Sequence, residues 1–133
     1  MVAFPLLLIS FAIYNVIAFL MPGTSWTAAI FSPRLPSGAE WAISAGDLLI
    51  AFTLFLLFFE VLKAARNSAR SIFDHVLSTL IFIGALVEFL LVKEAGTSTF
   101  MILLIIALVD VLGGWSVAVR TARRDFSIDP QAT

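Results

Sequence analysis

The sequence predicts an all-α integral membrane protein folded as an antiparallel four-helix transmembrane bundle. Of its 133 residues, 61% are hydrophobic and only 13% are charged, which is far from the balance of a soluble domain. Four apolar runs each approach the roughly 20 residues that a helix needs to cross a bilayer. Because these runs and their connections use nearly the whole chain, residues 1–125 are predicted to form one domain, followed by a short polar tail at 126–133.

The predicted helices begin and end at recognisable signals. The first apolar run stops at Pro22 and Gly23, a dipeptide that interrupts a helix. Ser44 and Asp47 have the spacing of a capping box, in which both side chains satisfy free N–H groups of the first helical turn. Ser71 and Asp74 repeat that spacing before the third run. The four helices are therefore predicted at residues 2–21, 45–66, 72–93 and 99–120.

The connections predict how the chain is oriented in the membrane. Residues 24–41 contain two Trp, two Pro and one Gly, which predicts an irregular segment on the bilayer surface. Six of the eight Lys and Arg residues fall on one side of the predicted membrane, and only Arg34 and Lys93 fall on the other. Because cytoplasmic loops are enriched in Lys and Arg, both termini are predicted to be cytoplasmic, in a bacterial inner membrane.

The composition excludes several classes of function. A net charge of −1 provides no basic face for nucleic acid. Without cysteine, and with a single histidine, the chain cannot form a thiolate metal site, a Cys nucleophile or a His-rich metal or haem site. We therefore assign no metal, no cofactor and no catalytic residue, and an enzyme is less expected than a non-enzymatic protein.

Polar side chains at membrane depth are the candidate functional residues, because a carboxylate in hydrocarbon is costly unless it is protonated, paired or hydrated. Asp110 lies about 16 Å into the fourth predicted helix at 1.5 Å per residue, too far for a capping role. Glu88 is the second acid that no cap explains. The remaining members of this candidate proton-binding set are Glu60, His75, Tyr14, Asn15 and Thr53.

These residues allow two interpretations. Tyr14, Asn15 and Thr53 are expected near the level of Asp110, where their hydrogen-bonding groups could satisfy a buried carboxyl. The set could form a helix-packing network, or a route for protons or a small cation with Asp110 in the middle and Glu88 and Glu60 toward the two sides. Glu60, three residues before Lys63, is otherwise expected in a surface ion pair, and His75 is otherwise expected as a hydrogen-bonded structural group.

In size, the chain resembles the small multidrug resistance transporters, which work as dimers and use a membrane-embedded glutamate in their first helix. The polar residues of the first helix here are Ser10, Tyr14 and Asn15, and none is an acid. The residue that would carry the mechanism of that family is therefore absent, and the family is not assigned.

Three functional hypotheses follow. The first is a non-enzymatic structural or accessory protein that packs with itself or with other membrane proteins, because small residues flank the buried acids. The second is a small proton- or cation-coupled transporter that uses Asp110 and Glu88. The third is a membrane enzyme acting on a lipid-like substrate, with Glu60, Asp74 and His75 as acid and base. The expected partners are the lipid bilayer and a homo-oligomer or larger membrane complex.

Overall fold

A computed structural model describes residues 5–66 and 72–128 and is mostly helical. In these ranges the α-helices are α1 at Leu7–Leu20, α2 at Ala45–Arg66, α3 at Ile72–Leu91 and α4 at Ser98–Ile128. Two short antiparallel strands, β1 at Ala29–Phe31 and β2 at Ile43–Ser44, form a hairpin between α1 and α2. A 3₁₀ turn at Lys93–Ala95 joins α3 to α4.

The helix bounds differ from the sequence-based expectation at two places. α1 begins at Leu7, two residues after Pro5, a residue type tolerated in the first turn of a helix; residues 1–4 lie outside the described ranges. α4 continues to Ile128 instead of ending near Arg120, because the sequence has no Gly or Pro in between. The helix thus enters the predicted tail, of which residues 129–133 lie outside the described ranges.

Three of the helices are long and apolar enough to cross a membrane, over Ala45–Lys63, Ile72–Leu91 and Ser98–Ser116. α1 is also apolar but has 14 residues, which gives about 21 Å at 1.5 Å per residue against a hydrocarbon core of about 30 Å. Large apolar side chains such as Phe55 and Leu91 are exposed, at 66% and 79%. These features indicate a membrane protein, because lipid is the solvent that suits such a surface.

The core lies where α1 packs against α2 and α4. α4 also contacts α3, so that it lies between α2 and α3. Phe100, fully buried on α4, has its ring centroid 5.4 Å from that of Phe11 and 4.9 Å from that of Tyr14, both on α1. Aromatic contacts of this kind add to the apolar burial, and they fix the level of α1 relative to α4.

The β-hairpin connects α1 to α2 and is anchored to the start of α2. The backbone N–H of Gly46 donates a hydrogen bond to the carbonyl oxygen of Trp26 at 3.0 Å. The predicted capping box at this start is confirmed, because the backbone N–H of Ser44 donates to Asp47 Oδ2 and that of Asp47 donates to Ser44 Oγ, both at 3.1 Å. In the second predicted box, Ser71 lies outside the described residues.

Candidate functional site

The structure divides the candidate polar residues between the two ends of the molecule. We call the end that carries the β-strands and the 3₁₀ turn the hairpin end, and the other, where α2 ends and α3 begins, the opposite end. Toward the hairpin end lie Tyr14, Asn15 and Glu88. Toward the opposite end lie Glu60 and His75, with Thr53 and Asp110 between the two groups.

Glu60 joins the end of α2 to the start of α1. None of its surface is exposed, and its Oε2 accepts a hydrogen bond from the backbone N–H of Leu6, the residue that precedes α1. A carboxylate suits this position, because the first N–H groups of a helix lack acceptors within the helix and carry partial positive charge. The expected ion pair is present, with 3.8 Å between Lys63 Nζ and Glu60 Oε1. However, Glu60 lies inside the protein and not at its surface.

Ser10 and Thr53 make a second connection between α1 and α2. Their hydroxyl oxygens are 2.7 Å apart, and Thr53 Oγ1 is also 2.7 Å from the carbonyl oxygen of Leu49 one turn earlier. Both side chains are buried, Ser10 at 0% exposure and Thr53 at 1%. Two hydroxyls that satisfy each other in this way allow polar groups to be buried between apolar helices.

His75 forms part of a contact between α3 and α4. Its ring is 2% exposed and lies 5.1 Å, centroid to centroid, from the ring of Trp115. Trp115 Nε1 donates a hydrogen bond to Thr79 Oγ1 at 2.9 Å, and Thr79 Oγ1 donates to the carbonyl oxygen of His75 at 2.7 Å. Trp115 is not among the site residues predicted from the sequence, although an indole N–H between helices requires an acceptor and so indicates a polar neighbour.

Asp110 faces the protein interior, as its small neighbours predict. It is 7% exposed, and Ala107 at 3% and Gly114 on the same helix are buried with it. Gly113, in contrast, is exposed, and a Cβ atom built on it would meet no atom within 4 Å. α4 therefore presents small residues in two directions, one toward its own chain and one toward the outside.

Tyr14 lies far from the level of Asp110, contrary to the prediction. Its hydroxyl donates to the carbonyl oxygen of Glu94 at 2.9 Å and is 2.8 Å from Thr97 Oγ1, and Thr97 precedes Asp110 by about 20 Å along the helix axis at 1.5 Å per residue. The ring of Tyr14 stacks on that of Trp26, with centroids 4.4 Å apart. These contacts with the hairpin end set the level of Tyr14.

Asn15 and Glu88 connect α1 to α3 near the hairpin end. Asn15 Nδ2 donates to the carbonyl oxygen of Phe11 at 2.9 Å and to Glu88 Oε1 at 3.4 Å. Beside them, a groove of about 280 Å³ runs between the two helices. Among the residues that the structure describes, no group of three or more His, Cys, Asp or Glu side chains is placed to hold a metal ion.

The apolar helices and the polar contacts between them place the chain in the class of helical membrane proteins. No protein-family model, no curated protein and no solved structure matches it.

Proposed function

We propose that this chain is a non-enzymatic structural or accessory membrane protein, a four-helix transmembrane bundle that packs with itself or with other membrane proteins. The observation that carries the proposal is the position of Glu60, the most buried of the described acids. Its carboxylate binds the start of α1 and pairs with Lys63. A charge placed in this way holds two helices together, and this role needs no substrate.

The other polar contacts support the same interpretation. Ser10 with Thr53 connects α1 to α2, and Thr79 with Trp115 connects α3 to α4. Each is a contact between helices, of a kind worth on average about 0.6 kcal/mol in membrane proteins. The polar side chains that the sequence offers as candidate functional residues are thus also suited to holding helices together.

In the proposed arrangement, α1 crosses the membrane together with the three longer helices, which makes four crossings in all. Both termini are then cytoplasmic, in a bacterial inner membrane. The contact between Leu6 and Glu60 supports an antiparallel α1 and α2, with the start of one beside the end of the other. The opposite end of the molecule is then the cytoplasmic end, because the basic residues of the sequence concentrate there. With 14 residues, α1 is shorter than the helices it packs against. Local thinning of the bilayer around α1 would allow it to cross.

The outer face of α4 is the surface we propose for self-association. Gly113 is exposed, and Val109 and Leu112 beside it are exposed at 51% and 58%. In lipid, helices associate through small residues that let their backbones approach closely. A Cβ atom at Gly113 would meet no atom of the described residues within 4 Å, so a larger side chain there is expected to affect contacts with a second chain more than the fold.

We expect Gly113→Leu to weaken self-association about tenfold, the ratio that corresponds to about 1.4 kcal/mol. The measurement is the dimer fraction of fluorescently labelled protein in liposomes at a series of protein-to-lipid ratios, by single-molecule photobleaching. Gly84→Leu is the matched control, because Gly84 is another helical glycine with open space around it. The proposal would be contradicted if the wild-type protein stayed monomeric at every protein-to-lipid ratio and if no stable partner were recovered with it in mild detergent.

A small proton- or cation-coupled transporter is the second candidate. It is favoured by the burial of three titratable side chains on three different helices, Glu60, His75 and Asp110, because buried ionisable residues in membrane helices often mark ion pathways. This candidate predicts that Asp110→Asn abolishes proton flux into proteoliposomes while the protein keeps its helical content. A wild-type flux in the variant would remove Asp110 from the pathway.

The third hypothesis, an enzyme on a lipid-like substrate, has less support. Glu60 is fully buried and His75 is 2% exposed beside Trp115. An acid and a base for a lipid headgroup would have to reach the membrane surface, and these two side chains are covered by other helices.

A further inference from the structure

The groove between α1 and α3 has an apolar end and a polar end. Leu8 and Ile81 line it toward the opposite end of the molecule, and Asn15 and Glu88 line it toward the hairpin end, with Gly84 in the wall between them. Ile81 and Glu88 are about 10 Å apart along α3 at 1.5 Å per residue. The groove is therefore a short apolar channel that ends on a carboxylate.

The groove opens to the outside, where the membrane hydrocarbon would lie. Leu8 is 40% exposed and Gly84 is also exposed. A Cβ atom at Gly84 would meet no atom within 4 Å. The space between the helices is thus accessible from lipid, and small residues keep it open.

Glu88 lacks a counter-ion within the described part of the chain. Arg34 pairs with Glu40, and Lys63 pairs with Glu60, and neither pair includes Glu88. Its contact with Asn15 is long at 3.4 Å, beyond the usual range of an N–H···O hydrogen bond. Glu88 also lies about one turn before the end of α3 and is partly exposed, so that a cation in the groove can reach its carboxylate.

We propose that this groove binds an amphiphilic amine, with the ammonium group on Glu88 and the apolar tail along Leu8 and Ile81. Charge complementarity selects the ammonium group, and the apolar walls select the tail. The ammonium should be attached directly to the apolar part. In a phospholipid, a phosphate lies between the chains and the amine, and it would bring a second negative charge toward the carboxylate.

This site is separate from the proposed self-association surface. The groove is formed by α1 and α3, whereas Gly113 lies on the outer face of α4. Loss of self-association in Gly113→Leu and loss of amine binding in Gly84→Leu are therefore independent results. Each variant is the matched control for the other.

The test uses octadecylamine with a nitroxide on its chain, added to the full-length protein in phosphatidylcholine liposomes. Electron paramagnetic resonance measures the motionally restricted fraction of the probe, and phosphatidylcholine and phosphatidylethanolamine with the same nitroxide are compared. We expect the amine to be preferred over labelled phosphatidylcholine by about tenfold. The proposal would be overturned if the labelled amine and labelled phosphatidylcholine were restricted equally, or if phosphatidylethanolamine were preferred over the amine.

Two substitutions separate the polar and apolar parts of the site. Glu88→Gln should abolish the preference for the amine while the groove stays open. Gly84→Leu fills the groove and should lower the restricted fraction of the amine to that of labelled phosphatidylcholine, with circular dichroism confirming that the helices are retained. Gly113→Leu should bind the amine like the wild type. Wild-type amine binding in either Glu88→Gln or Gly84→Leu would show that the amine does not occupy this groove.

Discussion

Replacing Gly46 by alanine is expected to lower the free energy of unfolding by about 1–3 kcal/mol, the usual effect of overpacking a well-packed site. A Cβ atom at Gly46 would lie 2.6 Å from the carbonyl oxygen of Trp26 and 2.5 Å from Thr99 Oγ1. The Trp26 oxygen is backbone, and it accepts the hydrogen bond from Gly46 itself. The start of α2 would therefore have to move away from both the hairpin and the start of α4.

Unfolding in bicelles, followed by steric trapping, measures this change. Gly84→Ala is the matched control, because it makes the same substitution in a helix where a Cβ atom meets nothing within 4 Å. It should have little effect or a slightly stabilising one, since alanine favours a helix over glycine by up to about 1 kcal/mol. Equal stabilities for Gly46→Ala and Gly84→Ala would contradict the close approach at the start of α2.

The second large effect is expected for Glu60→Ala. This substitution removes the carboxylate that the backbone N–H of Leu6 binds and with which Lys63 forms an ion pair. A buried polar group that loses its hydrogen-bond partner costs about 1–3 kcal/mol. The free energy of unfolding should fall by that amount, and hydrogen exchange should accelerate in the first turn of α1.

Glu60→Gln distinguishes the hydrogen bond from the charge. Its amide oxygen can still accept the N–H of Leu6, so a smaller loss than in Glu60→Ala is expected. The same unfolding assay in bicelles applies to both variants. If Glu60→Ala is as stable as the wild type, Glu60 does not hold α1, and the main support for the structural proposal is removed.

Local sequence signals were sufficient for part of this architecture. Three of the four predicted apolar runs correspond to helices that are long enough to cross a membrane, because hydrophobicity over about 20 residues is a property of each segment alone. The first run corresponds to the shorter apolar helix α1. Ser44 and Asp47 predicted the start of α2 for a similar reason, since a capping box involves residues only three positions apart.

The remaining features depend on how the helices are placed relative to one another. Glu60 was expected at the surface because its spacing to Lys63 is visible in the sequence, whereas the helix that covers it is more than 50 residues away. Tyr14 was assigned to the wrong level because the axial position of α1 is set by contacts with Trp26 and Thr97. Trp115 was missed for the same reason, since its acceptor Thr79 is on another helix.

The bond between Glu60 and Leu6 also has a consequence for biosynthesis. The two residues are 54 positions apart, and Ser10 and Thr53 are 43 apart, so the ribosome must extend α2 to Thr53 before α1 can acquire the first of these contacts and to Glu60 before it can acquire the second. Until then, the first N–H groups of α1 need water or lipid headgroups as acceptors. α1 and α2 should consequently leave the insertion machinery as a pair, and α3 and α4 then add to a unit that is already assembled.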